Sequence, residues 1–202
     1  MNHTITHTRP SRTGRGAFAA VAAVAVLAGC GTTTTDAPDG GQPPTSTRAP
    51  APSYCVDKVD PATGTNLCDP EKVMAAAATA LYSYHPSTQT QKGVDIDAAA
   101  TLLNPSWVQQ LGTSYSALAP VTGAQWDRWR LGNQTVTATA AVTPDDRPAD
   151  TETVARRVVA VSQTVQDPDG LDVEELAPIA LYTSVTRANA VAGWSLSSVV
   201  VR

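Results

Sequence analysis

The distribution of apolar and polar positions divides the chain into four stretches. Residues 1–16 are mostly polar and contain no acidic side chain, and Ala17–Ala28 are twelve consecutive apolar residues. Residues 31–53 carry almost nothing that a protein core would bury. From residue 54 onward, apolar positions recur first at a helical spacing and then, beyond Ala124, at every second position. Only this last stretch therefore predicts a folded domain.

The helical part of that stretch predicts three helices. In the first, Asp69 caps, Pro70 occupies the first helical position, and the helix runs to about Tyr84 before Pro86 stops it. A second helix begins at Asp95-Ile96-Asp97 and is broken by Pro105, and a third, short helix is capped by Ser106. The predicted buried positions are Val73, Ala77, Ala80 or Leu81, Tyr84, Ile96, Ala99, Leu102, Leu103, Trp107, Val108 and Leu111.

The alternating part predicts five strands, because it is rich in Val, Thr, Trp and Tyr. Gly132-Asn133 suits a two-residue hairpin turn, and 143–151 and 167–175 are acidic loops. Helices followed by consecutive antiparallel strands predict an α+β fold, with amino-terminal helices packed on a curved antiparallel sheet. The predicted strands are 124–131, 134–143, 153–166, 177–187 and 193–202.

The apolar run near the amino terminus ends in Leu27-Ala28-Gly29-Cys30. Only arginines carry charge before it, and twelve residues are too few to span ~30 Å of bilayer as a helix. This segment resembles the lipobox of bacterial lipoproteins, which implies cleavage before Cys30 and acylation of its thiol by palmitate or a similar chain. The protein would then sit on the extracytoplasmic face of the cell membrane. The alternatives are an ordinary signal peptide or a short membrane helix with a chance cysteine.

Three regions follow from this interpretation. Residues 1–29 are the lipoprotein signal peptide, 30–53 are the lipidated cysteine with a disordered Pro/Thr-rich tether, and 54–202 are the α+β globular domain. Fully extended, the tether reaches about 70 Å. A domain held in this way can work at some distance from the membrane.

The charge and composition of the mature chain limit the classes of function that we expect for it. Cleavage removes three arginines and leaves 11 basic against 18 acidic residues, a net charge near −7. Such a domain is a poor partner for nucleic acid. Its one remaining histidine, His85, stands at a helix end, and no HExxH, CxxC or phosphate-binding glycine motif occurs. We therefore expect no cofactor and no metal.

Cys55 and Cys68 are the cysteines that remain once Cys30 is lipidated. An exported chain permits disulfides, and a bridge across this turn-rich loop would stabilise the fold by about 3 kcal/mol in the chain-entropy model. The sequence predicts this disulfide. Two free thiols or a metal-binding pair are the alternatives.

Two segments resemble the nuclear transport factor 2-like, or cystatin-like, fold. They are Ala98-x3-Leu102-Leu103-Asn104-Pro105, which closes the second helix, and the last strand, Gly193-Trp194-Ser195-Leu196-x2-Val199. Together with the paired amino-terminal helices, the resemblance covers about residues 70–202. Within that superfamily the chain is most similar to scaffold domains of conjugative transfer and type IV secretion, and to membrane-associated proteins of lipid-import systems.

Enzymes of this superfamily use a carboxylate and a tyrosine in the cone between helices and sheet. If 124–131 is a strand, Asp127, Trp129 and Leu131 share one face, and Asp127 points to the mouth of the cone. With Trp129 and Tyr182 it forms the candidate pocket, with a tyrosine (Tyr82, Tyr84, Tyr115 or Tyr182) as oxyanion donor. The alternative is a solvated Asp127, or one paired with Arg157. Because side chains alternate in direction along a strand, we do not expect Arg128, Arg130, Arg156 and Arg157 to form one basic patch. We expect them on solvated strand faces and in cross-strand charge pairs.

These observations favour a binding or scaffold module that contacts other envelope proteins over an enzyme. The second hypothesis is a small-ligand domain that uses the cone, either as a binder or as a cofactor-free isomerase or hydrolase. A filled cone beside an exposed apolar sheet face would favour the first hypothesis. A large pocket holding Asp127 and a tyrosine hydroxyl would favour the second.

The lipobox predicts that Cys30→Ala releases the protein from membranes or blocks its processing, because the thiol is the acylation site. Fractionation of cells and the apparent mass of the protein test this. Unchanged membrane association and unchanged size would contradict the prediction.

Overall fold

A computed structural model of the chain describes residues 54–145 and 147–202. The predicted signal peptide, the lipidated Cys30 and the tether lie outside these described residues. Everything below concerns the domain that begins at Tyr54.

Four α-helices precede the main sheet. They are α1 (Pro70–Tyr82), α2 (Ile96–Ala99), α3 (Pro105–Leu111) and α4 (Gly123–Leu131), with 3-10 turns at Ala100–Leu102 and Ser114–Leu118. The start of α1 is as predicted: the Asp69 carboxylate accepts hydrogen bonds from the backbone N–H groups of Glu71 and Lys72, at 2.9 and 3.2 Å. A capping carboxylate also suits the positive end of the helix dipole.

Two helix boundaries differ from the prediction. Helix α1 ends at Tyr82, because Tyr84 leaves the helix and exchanges backbone hydrogen bonds of 2.8 and 2.9 Å with Val136. Helix α3 is capped by Asn104, whose side-chain oxygen accepts from the N–H of Ser106, so Ser106 lies inside the helix. The predicted core residues of α3, Trp107, Val108 and Leu111, are only half-buried.

The sheet is antiparallel and five-stranded, so the α+β class is confirmed. Strand β2 is central and pairs with β1 on one side and with β4 on the other, and β5 follows β4. A short strand, β3, pairs with the carboxyl end of β2. The strands are β1 (Thr135–Val142), β2 (Val154–Gln166), β3 (Asp172–Glu175), β4 (Ile179–Thr186) and β5 (Ser195–Val201).

The predicted strand 124–131 is wrong, because these residues form α4. Thr122 and Gln125 build a capping box, in which each side chain bonds the backbone N–H of the other residue. Trp126 and Trp129, three residues apart, are both buried on one side of the helix. Gly132 and Asn133 therefore end a helix instead of turning a hairpin, and Asn133 adopts a left-handed φ of 49°.

Strand β3 lies inside a segment that was predicted to be a loop. Its residues are Asp172, Val173, Glu174 and Glu175, and acidic side chains are uncommon in strands. It forms because Glu174 and Glu175 pair with Val165 and Thr164 of β2. The Arg128 guanidinium of α4 donates to the Glu174 carboxylate at 2.7 Å. Tertiary contacts thus override a weak local preference.

Helix α1 packs across one face of the sheet, called here the inner face. It contacts β1, β2, β4 and β5. Ala77 and Ala78 are fully buried, and such small side chains let the helix approach the strands closely. The strands contribute alternate residues to this core. Among the inner-face residues are Val136, Ala155, Val159, Val161, Leu181, Val185, Leu196 and Val199.

The predicted disulfide is present: the Sγ atoms of Cys55 and Cys68 lie 2.01 Å apart. The loop between them is fixed to the connection before β5, because the Trp194 N–H donates to the Leu67 carbonyl at 2.8 Å and the Cys55 N–H to the Ala190 carbonyl at 2.9 Å. The disulfide closes this loop, and the two hydrogen bonds hold the loop against the segment that leads into β5.

One charged side chain points into the inner face. Arg157 of β2 has a side chain only 3% exposed, and it donates two hydrogen bonds to Asp150, at 2.6 and 2.7 Å. Its Nε donates to Glu71 in the first turn of α1 at 2.8 Å, and Glu71 also accepts from Arg147 at 3.0 Å. We call these four residues the Arg157 network. It joins the central strand, the helix and the 143–153 loop.

The contact between Arg157 and Asp150 shifts the pKa values of both groups. Hydrogen bonds from Arg157 hold the pKa of the Asp150 carboxyl below its ordinary value, against the opposing effect of burial. The hydrogen bond to Asp150 likewise raises the pKa of Arg157, so its positive charge is permanent. Folding thus favours the ionised forms of Asp150 and Arg157.

We expect Arg157→Met to destabilise the domain by about 2–3 kcal/mol. Removing one partner of a fully buried pair costs ~3–5 kcal/mol, and the loss here is smaller because Asp150 and Glu71 keep some contact with water. Urea denaturation measures the change. Arg156→Met is the matched control, since this neighbouring side chain is exposed. An equal loss in both variants would contradict the role of the network.

Because the Asp150 pKa is lowered in the folded state, its contribution is present above the unfolded pKa and is lost as the pH falls through the folded value. The stability gap between wild type and Asp150→Asn should therefore be full at neutral pH and should close below about pH 4. Denaturation at a series of pH values measures this gap. Asp169→Asn, at an exposed loop position, should show little gap at any pH.

Candidate functional site

The structure does not bring the three predicted pocket residues together. Asp127 is exposed on α4, where its carboxylate accepts from Arg130 at 3.2 Å. Trp129, two residues on, is fully buried against the inner face, and Tyr182 lies on the opposite face of the sheet, 53% exposed. The predicted strand 124–131 would have placed Asp127 at the mouth of the cone, whereas helix α4 directs its side chain to solvent. It is not a buried base.

The face of the sheet away from α1, called here the outer face, remains exposed. Strand register arranges its side chains in rows across the strands. One row is apolar: Tyr182 stands opposite Val158 of β2 and Val200 of β5. The next row carries Arg156, Ser184 and Ser198. The next two rows hold small residues: Ala141, Ala160 and Ala180 in one, and Thr139 and Ser162 in the other.

A groove of about 300 Å³ crosses this face beside the apolar row. Tyr182 and Val200, which is 49% exposed, supply apolar surface, and the loop residues Thr143, Asp145 and Arg147 stand along one side. The Arg202 guanidinium lies 5.6 Å from the centre of the Tyr182 ring, close enough for a cation–π contact. The tyrosine is thus partly oriented before any partner binds.

The Arg157 network positions the loop that borders the groove. Arg147 is held by Glu71, and Asp150 is held by Arg157. The Thr143 N–H and hydroxyl both donate to the Val158 carbonyl, at 2.9 and 3.1 Å, so the loop leaves the sheet at a fixed point. The groove combines a flat apolar floor, hydroxyl groups and guanidinium groups. Such groups can make apolar contacts, hydrogen bonds and ion pairs.

The interior between α1, α4 and the sheet is filled mainly by aromatic rings. Tyr82, Tyr84 and Trp129 are fully buried, and the rings of Tyr84 and Trp126 have centroids 5.7 Å apart. Burial raises the pKa of both tyrosine hydroxyls far above the ordinary value, so they stay protonated. The Tyr82 hydroxyl donates to the Leu118 carbonyl at 3.0 Å. Protonated hydroxyls here can donate hydrogen bonds but cannot act as bases.

Sequence reasoning missed Arg157 and Gln163 as buried polar residues. Gln163 is 4% exposed, and its side-chain amide donates to the Tyr82 carbonyl at 2.7 Å. The sequence did contain a signal, because side chains alternate along β2. Both residues belong to the same alternating series as the core residues Ala155, Val159 and Val161. An inward polar residue on a central strand indicates a structural or binding role.

Two further observations concern the described part of the chain. Within residues 54–145 and 147–202, no group of three or more His, Cys, Asp or Glu side chains is arranged to hold a metal ion. In the same ranges, no helix has the length and apolar character needed to cross a membrane. The metal-binding alternative for Cys55 and Cys68 has no support, because their sulfurs form the disulfide.

Comparison with known proteins adds no assignment. No family model, no curated protein and no solved structure matches this chain. The likeness to the nuclear transport factor 2-like fold and to bacterial lipoproteins therefore rests on the residues quoted above.

Proposed function

We propose that this protein is a lipid-anchored binding module of the cell envelope, and that the outer face of the sheet is the surface that contacts its partner. Cys30 would hold it at the extracytoplasmic face of the membrane, and the tether would set how far the domain reaches. The observation that carries the proposal is the apolar row formed by Val158, Tyr182 and Val200, in which Tyr182 and Val200 are exposed and Val158 is half-buried. The resemblance to scaffold domains favours a secretion or conjugation assembly.

The composition of the outer face supports docking over catalysis. Apart from Arg156, the side chains of its central rows are small or flat and are held by the strand ladder, so these residues lose little side-chain entropy on binding. Tyrosine and arginine, which stand at the groove, are the residue types that contribute most to interface energies. A charged base or nucleophile in a closed site, which an enzyme needs, is not offered by the residues described at this face.

The size of the face indicates the kind of contact. Four strands spaced ~4.8 Å apart, each presenting about seven residues at ~3.3 Å, cover about 400 Å². This is about half of the ~800 Å² that a standard interface buries on each partner. The sheet alone therefore suits a modest, reversible contact, and the 143–153 loop is the natural extension of it.

The charges around the groove favour an acidic or carbonyl-rich partner surface. Arg147, Arg156 and Arg202 surround the apolar row, with Asp145 as the acid among the described groove residues. The chain as a whole is acidic, so these guanidinium groups stand out against a negative background. Electrostatic steering would bring an acidic partner to this face.

Site-specific photo-crosslinking tests the proposal in membranes. Replacing Tyr182 by the photoreactive residue p-benzoylphenylalanine should give discrete adducts with other envelope proteins on irradiation. Adding Ser198→Glu should reduce these adducts several-fold, because it places a negative charge next to the apolar row. The same photoreactive residue at Gln110, which is exposed on α3, is the positional control.

Two further variants separate the proposal from its alternatives. Gln110→Glu adds the same charge away from the sheet and should leave the adducts unchanged. Asp127→Asn removes the carboxylate once considered for catalysis and should also be near neutral in cells. Equal adducts at both photoreactive positions, or adducts insensitive to Ser198→Glu, would refute docking through the outer face.

A further inference from the structure

The two long edge strands of the sheet, β1 and β5, are protected to different degrees. At the β5 edge, the Asn104 N–H donates to the Leu196 carbonyl at 2.8 Å, and Ser197 is an extra residue where the register against β4 shifts. Such cover and bulges, like charges and prolines, are the usual means by which an edge avoids further pairing. Strand β1 has an uninterrupted register against β2, and its sequence, TVTATAAV, contains neither a charge nor a proline.

Hydrogen bonds from Tyr84 and Ser83 show which backbone groups of β1 point away from β2. Tyr84 exchanges two hydrogen bonds with Val136, and the Ser83 hydroxyl accepts from the Ala138 N–H at 3.1 Å. Because backbone groups alternate in direction along a strand, the even-numbered residues of β1 face the edge and the odd-numbered residues face β2.

The β1 edge remains open from Ala138 to Val142, a segment called here the free edge. It presents the N–H and C=O groups of Ala140 and Val142 and the C=O group of Ala138. No hydrogen bond within the described part of the chain engages these groups. Thr139 and Ala141, which lie between them, are exposed. Unpaired backbone groups of this kind are a template for another strand.

We propose that a second copy of this chain pairs with the free edge, antiparallel and about a two-fold axis at Ala140. In this register, the two Ala140 residues exchange both of their backbone hydrogen bonds. Each Val142 N–H donates to the Ala138 carbonyl of the second copy, so every open N–H of the free edge has an acceptor. Because no side chain of β1 is charged, the pairing brings no like charges of the two strands together.

The two ends of the free edge favour this register. A shift of two residues in one direction would bring Val142 of the second copy opposite Val136, whose backbone groups are already bonded to Tyr84. The same shift in the other direction would bring Pro144 opposite Ala138, and proline has no N–H to donate to that carbonyl. The free edge is thus complementary to itself, which favours a second copy over an unrelated segment.

Helix α1 leaves room for a second copy beneath the free edge. Ser83 follows the carboxyl end of this helix and lies at the edge, because its hydroxyl accepts from β1. Thr79, Ala80 and Ala76 share its side of the helix by their spacing of three and four residues, and all are half-buried. A two-fold axis perpendicular to the sheet puts both inner faces on the same side, where these small residues let the two helices approach.

Pairing through the free edge would also enlarge the outer face. The outer faces of the two copies would join on one side of a continuous sheet and together cover about 800 Å², which is the area that a standard interface buries on each partner. The pairing itself is independent of whether the outer face binds anything.

Cysteine crosslinking tests the register. Full chains carrying Thr139→Cys and Ala141→Cys are produced in the same cells, one of them with a tag that changes its size, and are oxidised with copper phenanthroline. The proposed pairing puts residue 139 of one copy directly opposite residue 141 of the other, with Cα atoms about 4.5 Å apart. The two residues 139 lie diagonally, about 7–8 Å apart, beyond the reach of a disulfide. The mixed-size dimer should therefore exceed either same-size dimer several-fold.

Two controls accompany the crosslinking. The chain without an added cysteine gives the background. Gln110→Cys, exposed on α3, reports random collision between copies and should give several-fold less dimer than the mixed pair.

Ala140→Pro should abolish the pairing and leave the fold intact. The N–H that it removes points to the edge and takes no part in the ladder with β2, which is where a strand tolerates proline. Sedimentation velocity of the full chain in detergent should give a dimer for the wild type and a monomer for this variant. Val142→Pro removes the other open N–H and is the second variant in case the first fails to fold, which circular dichroism checks.

Four results would overturn the proposal. A mixed-size dimer no more abundant than the same-size dimers would exclude this register, and that result decides alone if neither proline variant folds. A monomeric wild type would exclude pairing of copies, and an unchanged dimer in a folded proline variant would place the contact elsewhere. Crosslinks of the Thr139→Cys variant to another protein alone would assign the free edge to an extended segment of that protein. Docking on the outer face is scored separately, through the photoadducts of position 182.

Discussion

The buried guanidinium of Arg157 is the constraint on which the arrangement of this domain depends. It stands at an inward position of the central strand, where an uncompensated charge would be costly. Its compensation comes from two distant parts of the chain, Asp150 in the 143–153 loop and Glu71 in the first turn of α1. If the loop or the helix moved away, the buried guanidinium of Arg157 would lose one of its two carboxylate partners. One side chain therefore fixes helix, loop and sheet relative to one another.

This constraint also explains how the two faces of the sheet come to differ. On the inner face, the helix is held close, and alternate residues of β2 and β4 are buried beneath it. On the outer face, the same strands present Tyr182 and small residues to solvent. The loop held by Arg157 borders the outer groove, so a bond on the inner side sets the shape of the outer surface. Disturbing it should affect the proposed docking surface as well as stability.

The helices and strands that have a strong local signal in the sequence were predicted from that signal. The Asp69-Pro70 start of α1 was predictable from capping chemistry, and β1, β2, β4 and β5 from their alternation. Helix α4 was not, because Trp126, Arg128 and Arg130 imitate a period of two. Its stronger signals were the spacing of three between Trp126 and Trp129 and the capping pair Thr122 and Gln125.

The candidate sites were harder to predict because they depend on register. Tyr182 was predicted to line a pocket with Asp127 and Trp129, but it lies exposed on the outer face, and helix α4 directs Asp127 to solvent and Trp129 into the core. The row that joins Tyr182 to Val158 and Val200 exists only once the strands are paired. Only the parity that Arg157 shares with Val159 and Val161 distinguished it from Arg156, and Val154 and Val158 at the other parity weaken that signal. Strand pairing is a feature of the tertiary structure, and the residue pattern within one strand does not reveal it.

The donor excess in the core has an origin in composition. The only phenylalanine of the chain is Phe18, inside the predicted signal peptide, so the aromatic volume of the domain comes from tryptophan and tyrosine alone. Each such ring brings a polar hydrogen that needs an acceptor when it is buried. Tyr82 finds one in the Leu118 carbonyl, whereas Tyr84 and Trp129 find none in the described residues. A core built from these rings therefore contains buried donors whose hydrogen-bonding demand the described residues leave unmet.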